Sequence, residues 1–569
     1  MHATGTATGP VSVPDNAPRI AKWANAASGC VILLLCIMVG AATIRPDNYF
    51  LGDDFGLVHH LHDLPLRRLI TYFYSDWTEG IYGSTYDELR PMLALSYWLD
   101  ARVYGATNAQ GYHVTNLLLH MLNGLLVFAI ARSVASRQHA VGLVAGSLFV
   151  LLPSQAEPIA WISGRVDSLA AAFYLGAFLC FMQFRQRQRR TWLAASLGLF
   201  VCDLYAKQTA ITFPLLILAY DAVWGPGFRD LGRGAIRSRY ASHMAFWLLT
   251  IAYLVLRYVL FGNAVRENLL SLSLVMRFAR RQGFYAAQLV PVLGAASPFT
   301  LILSAAFMLI ILAACAWPIV RRPAVHGALI RRVLFFGPVW YAITIAPMAV
   351  SYSSARHLYL TTAGLSIALA SLMLPDGVRQ TSRVRLLRLA AVGTVLALYG
   401  ITLTSNIRPW IANGLDSGQF ARTLPSLLRS LPRGSVVLVG IPTTRENRWF
   451  WSWTLPFALQ RPFVPEDVYG QFAIVERPFA YCCPAAQWWT AKRNILTMLV
   501  NSDPPREVSF IVPAPDQPGT LVLSRRALSW PALKLQIEAT LGRPIDKRPT
   551  DMTEAEAAEV AQILFDTAK

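Results

Sequence analysis

The feature that most constrains the fold of this chain is a series of long apolar segments that recurs up to about residue 404. Most of these segments contain about 17 residues or more, which is enough for a helix to cross the hydrocarbon core of a bilayer. The composition agrees, because 54% of the residues are hydrophobic and only 15% are charged, whereas a soluble domain has about a quarter charged residues. We therefore predict a mostly α-helical, polytopic membrane protein of about 11 transmembrane helices. The predicted spans lie near residues 26–44, 111–131, 140–156, 166–184, 192–206, 209–224, 244–262, 299–320, 333–350, 357–374 and 389–404.

The net charge of +19 raises the question of nucleic-acid binding, and the distribution of the basic residues argues against it. Arginines cluster in alternate short connections between the apolar segments, which is the positive-inside pattern of a membrane protein. The clusters lie at residues 185–190, 229–239, 321–332 and 379–388. With these loops in the cytoplasm, residues 1–22 form a cytoplasmic tail, residues 23–429 the membrane core and residues 430–569 an outer domain. The long first outer loop then covers about residues 45–110.

The outer domain is predicted to be a small α/β unit. The segments "GSVVLVGI" and "EVSFIVP" have strand composition, and "GTLVLS" follows the second one across the turn "APDQP". The segment "TDMTEAEAAEVAQILFD" begins with capping residues and continues at a helical period. In the first outer loop, "PLRRLITYFYSDW" and "RPMLALSYWLDARVYG" are amphipathic and predict helices that lie on the membrane surface.

Charged and polar residues gather at the outer ends of different predicted spans, where they form one layer of acids and bases. Arginine and lysine at such a surface are suited to binding a phosphate, and a neighbouring carboxylate is suited to accepting a proton. Two adjacent carboxylates also repel each other, which raises one pKa and favours a role as base. The layer contains Asp53, Asp54, Glu157, Arg165, Asp167, Lys207, Gln208, Arg356 and His357.

Most members of this layer also have a structural interpretation, and Arg356 and His357 could belong to an ion pair within their loop. Asp53 and Asp54 could cap the helix "DDFGLVHHL" at its first turn. Arg165 and Lys207 could anchor spans at the interface with their long side chains, while Glu157 could pair with one of these bases. A divalent cation, Mg or Mn, held by Asp53 and Asp54 is a further alternative.

The nearby histidines do not specify a zinc site. His59 and His60 are neighbours, and neighbours on a helix do not share a face. His59 and His62 do share one, but two histidines and an aspartate leave a zinc site under-specified.

Four segments, in this order, resemble the membrane core of the transmembrane O-mannosyltransferases that carry tetratricopeptide repeats, and their bacterial relatives. They are "RPMLALSYWLDARVYGATNAQGYHVTNLLLHMLN", "PSQAEPIAWISGRVDSLAA", "AKQTAITFPLLILAYD" and "ARHLYLTTAGL". The resemblance implies a glycosyltransferase-C fold in a bacterial inner membrane. It also implies transfer of a sugar from a polyprenyl-phosphate donor to an extracytoplasmic acceptor, which could be a protein, a glycan or a lipid.

On this resemblance, Asp53 and Asp54 are the candidate catalytic residues, since an acidic motif in the first outer loop serves that family as base or metal ligand. Arg165, Lys207 and Arg356 are the candidate ligands of the donor phosphate. The candidates for a supporting role in substrate binding are Glu157, Asp167, Gln208, His357, Tyr359, Arg90 and His113. His113 is equally suited to packing inside the second span.

The chain also departs from the family pattern. Leu152 and Gln155 stand where histidines are common, Gln208 stands where an acid follows the lysine, and Ala355 replaces an acid before the arginine. The repeat domain that follows the core in the O-mannosyltransferases is replaced by the small outer domain, so a protein acceptor does not follow from the resemblance. A glycolipid transporter or flippase, or a non-catalytic membrane assembly protein, is the alternative. Transporters, however, place their binding residues near the midplane of the bilayer rather than at one surface.

Overall fold

The structure is a computed structural model. It describes residues 17–81, 88–135, 138–225, 233–264, 272–292, 297–321, 327–375, 381–451, 454–476, 506–528, 530–546 and parts of 551–563.

The described chain is mostly helical, as predicted, with a small mixed sheet near its C-terminal end. The helices of the first part are α1 Ala17–Gly40, α2 Asp53–Leu61, α3 Leu66–Thr71, α4 Pro91–Tyr104, α5 Ala109–Val134, α6 His139–Leu151, α7 Ala156–Ala160, α8 Arg165–Arg187, α9 Arg190–Leu204, α10 Phe213–Trp224, α11 Arg233–Phe261, α12 Leu272–Leu289, α13 Pro298–Arg321, α14 Gly327–Ile345, α15 Leu358–Met373 and α16 Ser382–Arg429. The outer domain contains β1 Val436–Val439, β2 Thr444–Arg445, β3 Arg448–Trp449, α17 Leu455–Ala458, β4 Ala473–Glu476, β5 Arg506–Pro513, β6 Leu521–Leu528 and α18 Trp530–Leu541.

Within the described residues, seven helical segments are long and apolar enough to cross a membrane. They lie in α1, α5, α8, α11, α13, α14 and α16. Helix α6 and its continuation Pro153–Ala160 give an eighth if the pair, which bends by 54°, is taken as one span. The shorter helices α9, α10 and α15 coincide with the remaining predicted segments, so every predicted span is a helix. The count of eleven membrane crossings stays a prediction.

The helices of the core pack closely where small residues face each other, as is usual for helices in a bilayer. Gly337 of α14 and Gly364 of α15 are an example: a Cβ atom on Gly337 would lie 2.8 Å from the carbonyl oxygen of Gly364. In contrast, α13 exposes large apolar side chains over much of its length, including Phe299, Ile302 and Ile310. This surface is suited to contact with lipid.

The outer domain is built on a four-stranded sheet in the order β4-β1-β5-β6. Strand β1 is parallel to both β4 and β5, and β6 is antiparallel to β5. The three strands predicted from the sequence are confirmed, as is the pairing across the turn after β5. Much of the helix predicted over residues 550–566 lies outside the described residues.

The outer end of α16 joins the outer domain to the first outer loop. The hydroxyl of Ser417 donates a hydrogen bond to the carbonyl oxygen of Phe50 (2.6 Å) and accepts one from the indole of Trp451 (2.7 Å). The backbone amide of Tyr49 donates to the carbonyl oxygen of Gly414 (3.1 Å). These bonds fix residues 49–52 just before α2 begins.

Candidate functional site

Helix α2 carries Asp53 and Asp54 in its first turn, where the positive end of the helix dipole stabilises carboxylates. It is preceded by Gly52, whose φ of +50° lies in the left-handed region that favours glycine. The amide of Gly52 donates to the carbonyl oxygen of Phe450 in the outer domain. The first outer loop and the outer domain therefore fix the start of α2 together.

The two aspartates have different environments. The side chain of Asp54 is buried and accepts three hydrogen bonds: one from the amide of Leu51 (2.9 Å), one from the amide of Ser163 (2.8 Å) and one from the hydroxyl of Ser163. The bond from Leu51 ties the segment that leads into α2 to the first turn of the helix. The bonds from Ser163 tie α2 to the turn that precedes α8. Asp54 therefore has a structural role, but not as the helix cap considered for it, because the cap position is Gly52 and has no side-chain hydrogen bond.

Asp53 remains partly exposed. Burial of its carboxyl group raises the pKa of Asp53 to about 6, an effect that the charge of Arg356 opposes. Burial likewise raises the pKa of Asp54 to about 7, although the hydrogen bond from Ser163 acts in the other direction. In both residues burial is the largest cause, and repulsion by a nearby carboxylate is a smaller one: Glu88 acts on Asp53, and Asp53 acts on Asp54. The expected rise in pKa is present, but its main cause differs from the predicted one.

Arg356 lies among carboxylates contributed by other helices. Its Nε atom is 3.5 Å from a carboxylate oxygen of Glu157 and 3.6 Å from one of Asp167. These distances are those of charge contacts rather than hydrogen bonds, and the Nε–H group has no hydrogen-bond partner among the described residues. The guanidinium group also lies over the ring of Trp161, with 5.0 Å between its central carbon and the ring centroid.

Lys207 follows the end of α9 and forms an ion pair with Asp167 in the first turn of α8. Burial lowers the pKa of Lys207, and the charge of Asp167 opposes that shift. The two side chains line a cleft of about 300 Å³, measured with its open side included. The other lining residues are Ala170, Ala171, Thr209, Thr344, Met348, His357, Leu360 and Thr361. The cleft is therefore charged at one end and mostly apolar or neutral elsewhere.

Arg165 differs from the other two candidate phosphate ligands because the protein encloses it completely. Its side chain is 0% exposed and its Nη1 atom lies 2.6 Å from a carboxylate oxygen of Asp100. Its nitrogens also donate to the side chain of Asn116 (2.8 Å), the carbonyl oxygen of Tyr112 (2.9 Å) and the hydroxyl of Ser96 (3.1 Å). Arg165 therefore connects α4, α5 and α8, and its donors are directed at protein atoms.

Three of the predicted supporting residues border the site. Arg90 lies 2.9 Å from the carboxylate of Glu88 and close enough to Lys207 to affect its pKa. His357 lines the cleft, and its Nδ1 atom is 3.2 Å from the hydroxyl of Tyr285. Gln208 opens the short 3-10 turn that follows Lys207.

Two other predicted residues have partners in the helix bundle. The Nε2 atom of His113 lies 3.1 Å from the side-chain nitrogen of Asn48. The hydroxyl of Tyr359 is 2.8 Å from Nδ1 of His120 and accepts a hydrogen bond from Asn123 at 3.2 Å. His113 therefore matches the packing alternative considered for it, and Tyr359 fills a comparable position between α5 and α15.

The histidines of α2 each have a partner of another kind. The Nδ1 atom of His59 lies 2.6 Å from the carbonyl oxygen of Arg461, and the Nε2 atom of His60 lies 2.9 Å from the hydroxyl of Tyr72. Across the ranges that the structure describes, no group of three histidine, cysteine, aspartate or glutamate side chains could hold a metal ion.

Two aromatic residues belong to the layer although the sequence did not single them out. Trp161 is 1% exposed, donates its indole N–H to the carbonyl oxygen of Leu51 (3.1 Å) and supports the guanidinium of Arg356. Tyr352 accepts a hydrogen bond from Arg356 through its hydroxyl. Both lie inside segments that contain the candidate charges, "AWISGR" and "SYSSAR". Aromatic residues beside a membrane surface are common, so composition alone gave no reason to choose these two.

Comparison with known proteins finds relatives among the O-mannosyltransferases. Over 142 residues, 24% of this chain, the sequence is 36% identical to Protein O-mannosyl-transferase Tmtc2 of Drosophila melanogaster. Over 241 residues, 39% of this chain, it is 28% identical to Protein O-mannosyl-transferase TMTC1 of Mus musculus. The predicted resemblance is confirmed. The matches span only 15% and 25% of the length of these two relatives, and no protein-family model matches the chain.

Among solved structures, the chain is similar to ArnT from Cupriavidus metallidurans bound to undecaprenyl phosphate. That match covers 89% of this chain and 98% of the other, at 13% identity and a TM-score of 0.47. The Archaeoglobus fulgidus oligosaccharyltransferase matches over 74% of this chain and 62% of its own, at 11% identity and a TM-score of 0.39.

Proposed function

We propose that this chain transfers a sugar from a polyprenyl-phosphate donor to a hydroxyl acceptor at the extracytoplasmic face of a bacterial inner membrane. The observation that carries the proposal is the meeting, in one layer, of the Asp53 carboxylate with a pair of cations: Arg356 lies close enough to both Asp53 and Lys207 to affect their pKa values. Asp53 comes after α1, Lys207 after α9 and Arg356 before α15, so distant parts of the chain converge there. A donor whose head group is tethered to lipid has to react at such a surface.

The cations of the layer are suited to the leaving group. A polyprenyl phosphate gains negative charge as its bond to the sugar breaks, and fixed cations stabilise that charge. Arg356 has an Nε–H donor without a hydrogen-bond partner in the described chain, and Lys207 lies at the charged end of the cleft. Glu157 and Asp167 hold these cations in place in the absence of a donor.

Asp53 is the best candidate for the base. In a single inverting displacement, the acceptor oxygen attacks the anomeric carbon while the bond from that carbon to the phosphate oxygen breaks. The hydroxyl proton passes to Asp53, and the bonding electron pair leaves with the phosphate. One carboxylate is sufficient for this step, and a pKa of about 6 leaves Asp53 mostly ionised at neutral pH.

Asp54 and Arg165 have positioning roles in this proposal. Both oxygens of Asp54 already accept hydrogen bonds from Leu51 or Ser163, so we assign this carboxylate to holding α2 in place rather than to binding a divalent cation. Arg165 is enclosed by protein, which leaves Lys207 and Arg356 as the phosphate ligands of the three predicted.

The names of the relatives make mannose the first sugar to test. The full-length protein, in nanodiscs of phosphatidylcholine, is supplied with polyprenyl-phosphate mannose and an envelope extract as acceptor source. Released polyprenyl phosphate is then measured by mass spectrometry. We expect release by the wild type and at least about 100-fold less by Asp53→Asn, the usual loss when a general base is removed.

Asp63→Asn is the matched control, because Asp63 follows the same helix and is exposed. Equal release by Asp53→Asn and the wild type would show that Asp53 is not the base. Movement of the lipid between leaflets without release of polyprenyl phosphate would favour the flippase alternative.

A further inference from the structure

The hairpin formed by β2 and β3 brings part of the outer domain to the charged layer. Its two turn residues, Glu446 and Asn447, have φ values of +49° and +57°, as a tight two-residue hairpin turn requires. Arg445 of β2 forms an ion pair with Asp416 of α16, and its carbonyl oxygen accepts a hydrogen bond from Asn413 (3.3 Å). The hairpin is therefore fixed to the membrane core.

Arg448, the first residue of β3, is connected to Arg356 by a chain of stacked groups. The guanidinium of Arg448 lies 5.9 Å from the ring centroid of Trp410, and Trp410 stacks on Trp161 with 5.7 Å between centroids and 15° between planes. The guanidinium of Arg356 in turn lies over the ring of Trp161. Two arginines thus stand beside one pair of tryptophans, one at the charged layer and one on the outer domain.

The charge of Arg448 has its nearest counterions in the described chain, Glu157 and Glu446, beyond ion-pair distance. Its recorded hydrogen bonds both come from Nη1 and go to backbone carbonyl oxygens of its own turn, those of Glu446 (3.3 Å) and Asn447 (3.4 Å). Arg356 and Arg445 each have a carboxylate within 4 Å, whereas the described residues offer Arg448 none. Arg448 is nevertheless half-buried, and its Nε and Nη2 donors remain for a ligand.

The hairpin lies at the carboxyl-terminal edge of the outer-domain sheet. Strand β1 has β4 on one side and β5 on the other, so the connections from the central strands run in opposite directions. In open α/β sheets, ligands bind beyond the carboxyl ends of the strands at such a point. The hairpin follows the carboxyl end of β1. The turn after β5 also reaches α16, because Gly519 lies against the side chains of Gln419 and Asp416.

We propose that Arg448 is the cation of a second anion subsite, built by the outer domain beside the Trp161–Trp410 pair, and that it binds a phosphate-type anion. An arginine with a fixed planar face and free donors is suited to this ligand. The anion belongs either to the lipid carrier or to the acceptor. The assignment of the anion to the carrier or to the acceptor rests on the proposed function, whereas the existence of the subsite does not.

The test uses the full-length protein in phosphatidylcholine nanodiscs, with tryptophan fluorescence as the readout. In one arm undecaprenyl phosphate is titrated alone. In the other, inorganic phosphate is titrated into protein that has first been saturated with undecaprenyl phosphate. If the first arm shows no binding of undecaprenyl phosphate, inorganic phosphate is titrated without it. The variants are Arg448→Gln and Arg448→Lys. The control is Arg433→Gln, because Arg433 is exposed on the same domain.

We expect Arg448→Gln to lose at least about tenfold in affinity in one arm, as for one charge-assisted hydrogen bond, with partial recovery in Arg448→Lys. A loss in the first arm assigns the anion to the carrier, and a loss in the second alone assigns it to the acceptor. Unchanged affinity in both arms, in a variant that unfolds at the wild-type temperature, overturns the subsite. If the wild type binds inorganic phosphate through Arg448 but no undecaprenyl phosphate, the subsite stands and the proposed function fails.

Discussion

Arg165 and Arg356 differ by role rather than by residue type, and replacing each with glutamine should separate the two roles. Arg165→Gln removes a buried cation whose Nη1 atom lies 2.6 Å from a carboxylate oxygen of Asp100. Asp100 is itself 5% exposed, and it keeps one other recorded bond, from the hydroxyl of Thr115 at 2.7 Å. Breaking a buried ion pair on one side costs about 3–5 kcal/mol, because the remaining charge is left without compensation. We expect a loss of this size in the free energy of unfolding.

The assay is unfolding in mixed detergent micelles, followed together with binding of undecaprenyl phosphate to the folded protein. Arg165→Gln should unfold at a lower concentration of denaturing detergent, and the fraction that remains folded should bind the lipid normally. Adding Asp100→Asn to Arg165→Gln should recover more than half of the lost stability, because no unpaired charge remains. Arg356→Gln should show the opposite balance, with weak binding and a smaller loss of stability, because Asp167 keeps Lys207 as its ion-pair partner. If Arg165→Gln keeps wild-type stability and loses lipid binding, Arg165 is a phosphate ligand after all.

Four further predictions concern the charged layer. The transfer rate should rise with pH through about 6, because Asp53 has to lose its proton to act as a base, and rates measured between pH 5 and 8 check this. In Arg356→Gln the same rise should move to higher pH, since the charge of Arg356 opposes the upward shift of the Asp53 pKa; an unmoved profile would contradict the assignment. Lys207→Gln should weaken binding of undecaprenyl phosphate at least about tenfold, with partial recovery in Lys207→Arg, because a charge-assisted contact is lost. Transfer should persist after dialysis against EDTA, measured by release of polyprenyl phosphate, and loss of activity restored by Mg or Mn would contradict that expectation.

The helices and strands could be predicted because their signals are local. An apolar segment long enough to span a bilayer has to satisfy its backbone hydrogen bonds internally and therefore forms a helix. The strands β5 and β6 follow from composition and from the turn between them. The meeting of Asp53, Lys207 and Arg356 was also predictable, since the predicted topology places the outer ends of all spans in one plane.

The roles within that plane could not be predicted, because they depend on contacts between residues distant in sequence. Arg165 and Arg356 look alike in sequence, yet Asp100 lies 2.6 Å from the first, while Glu157 and Asp167 lie 3.5 and 3.6 Å from the second. Asp53 and Asp54 are neighbours, and the hydrogen bonds that Asp54 accepts from Ser163 tie it to a part of the chain more than 100 residues away. The interpretation of Arg165 as a phosphate ligand rested on its position alone.

The contribution of the outer domain was the least predictable part. Arg448 is separated from Trp161 by most of the chain, and the stack that connects them passes through Trp410 of α16. A single arginine beside aromatic residues has no distinctive sequence signature. Its placement follows from the hairpin turn and from the ion pair between Arg445 and Asp416.

The most direct test of the central claim is native mass spectrometry of the lipids that remain bound after purification in mild detergent. The wild type should retain a polyprenyl phosphate, with or without its sugar. Lys207→Gln and Arg356→Gln should retain much less, and the exposed control Arg433→Gln should match the wild type. Retention of bulk phospholipid alone by the wild type, even after incubation with excess polyprenyl-phosphate mannose, would contradict the claim that the charged layer binds this donor.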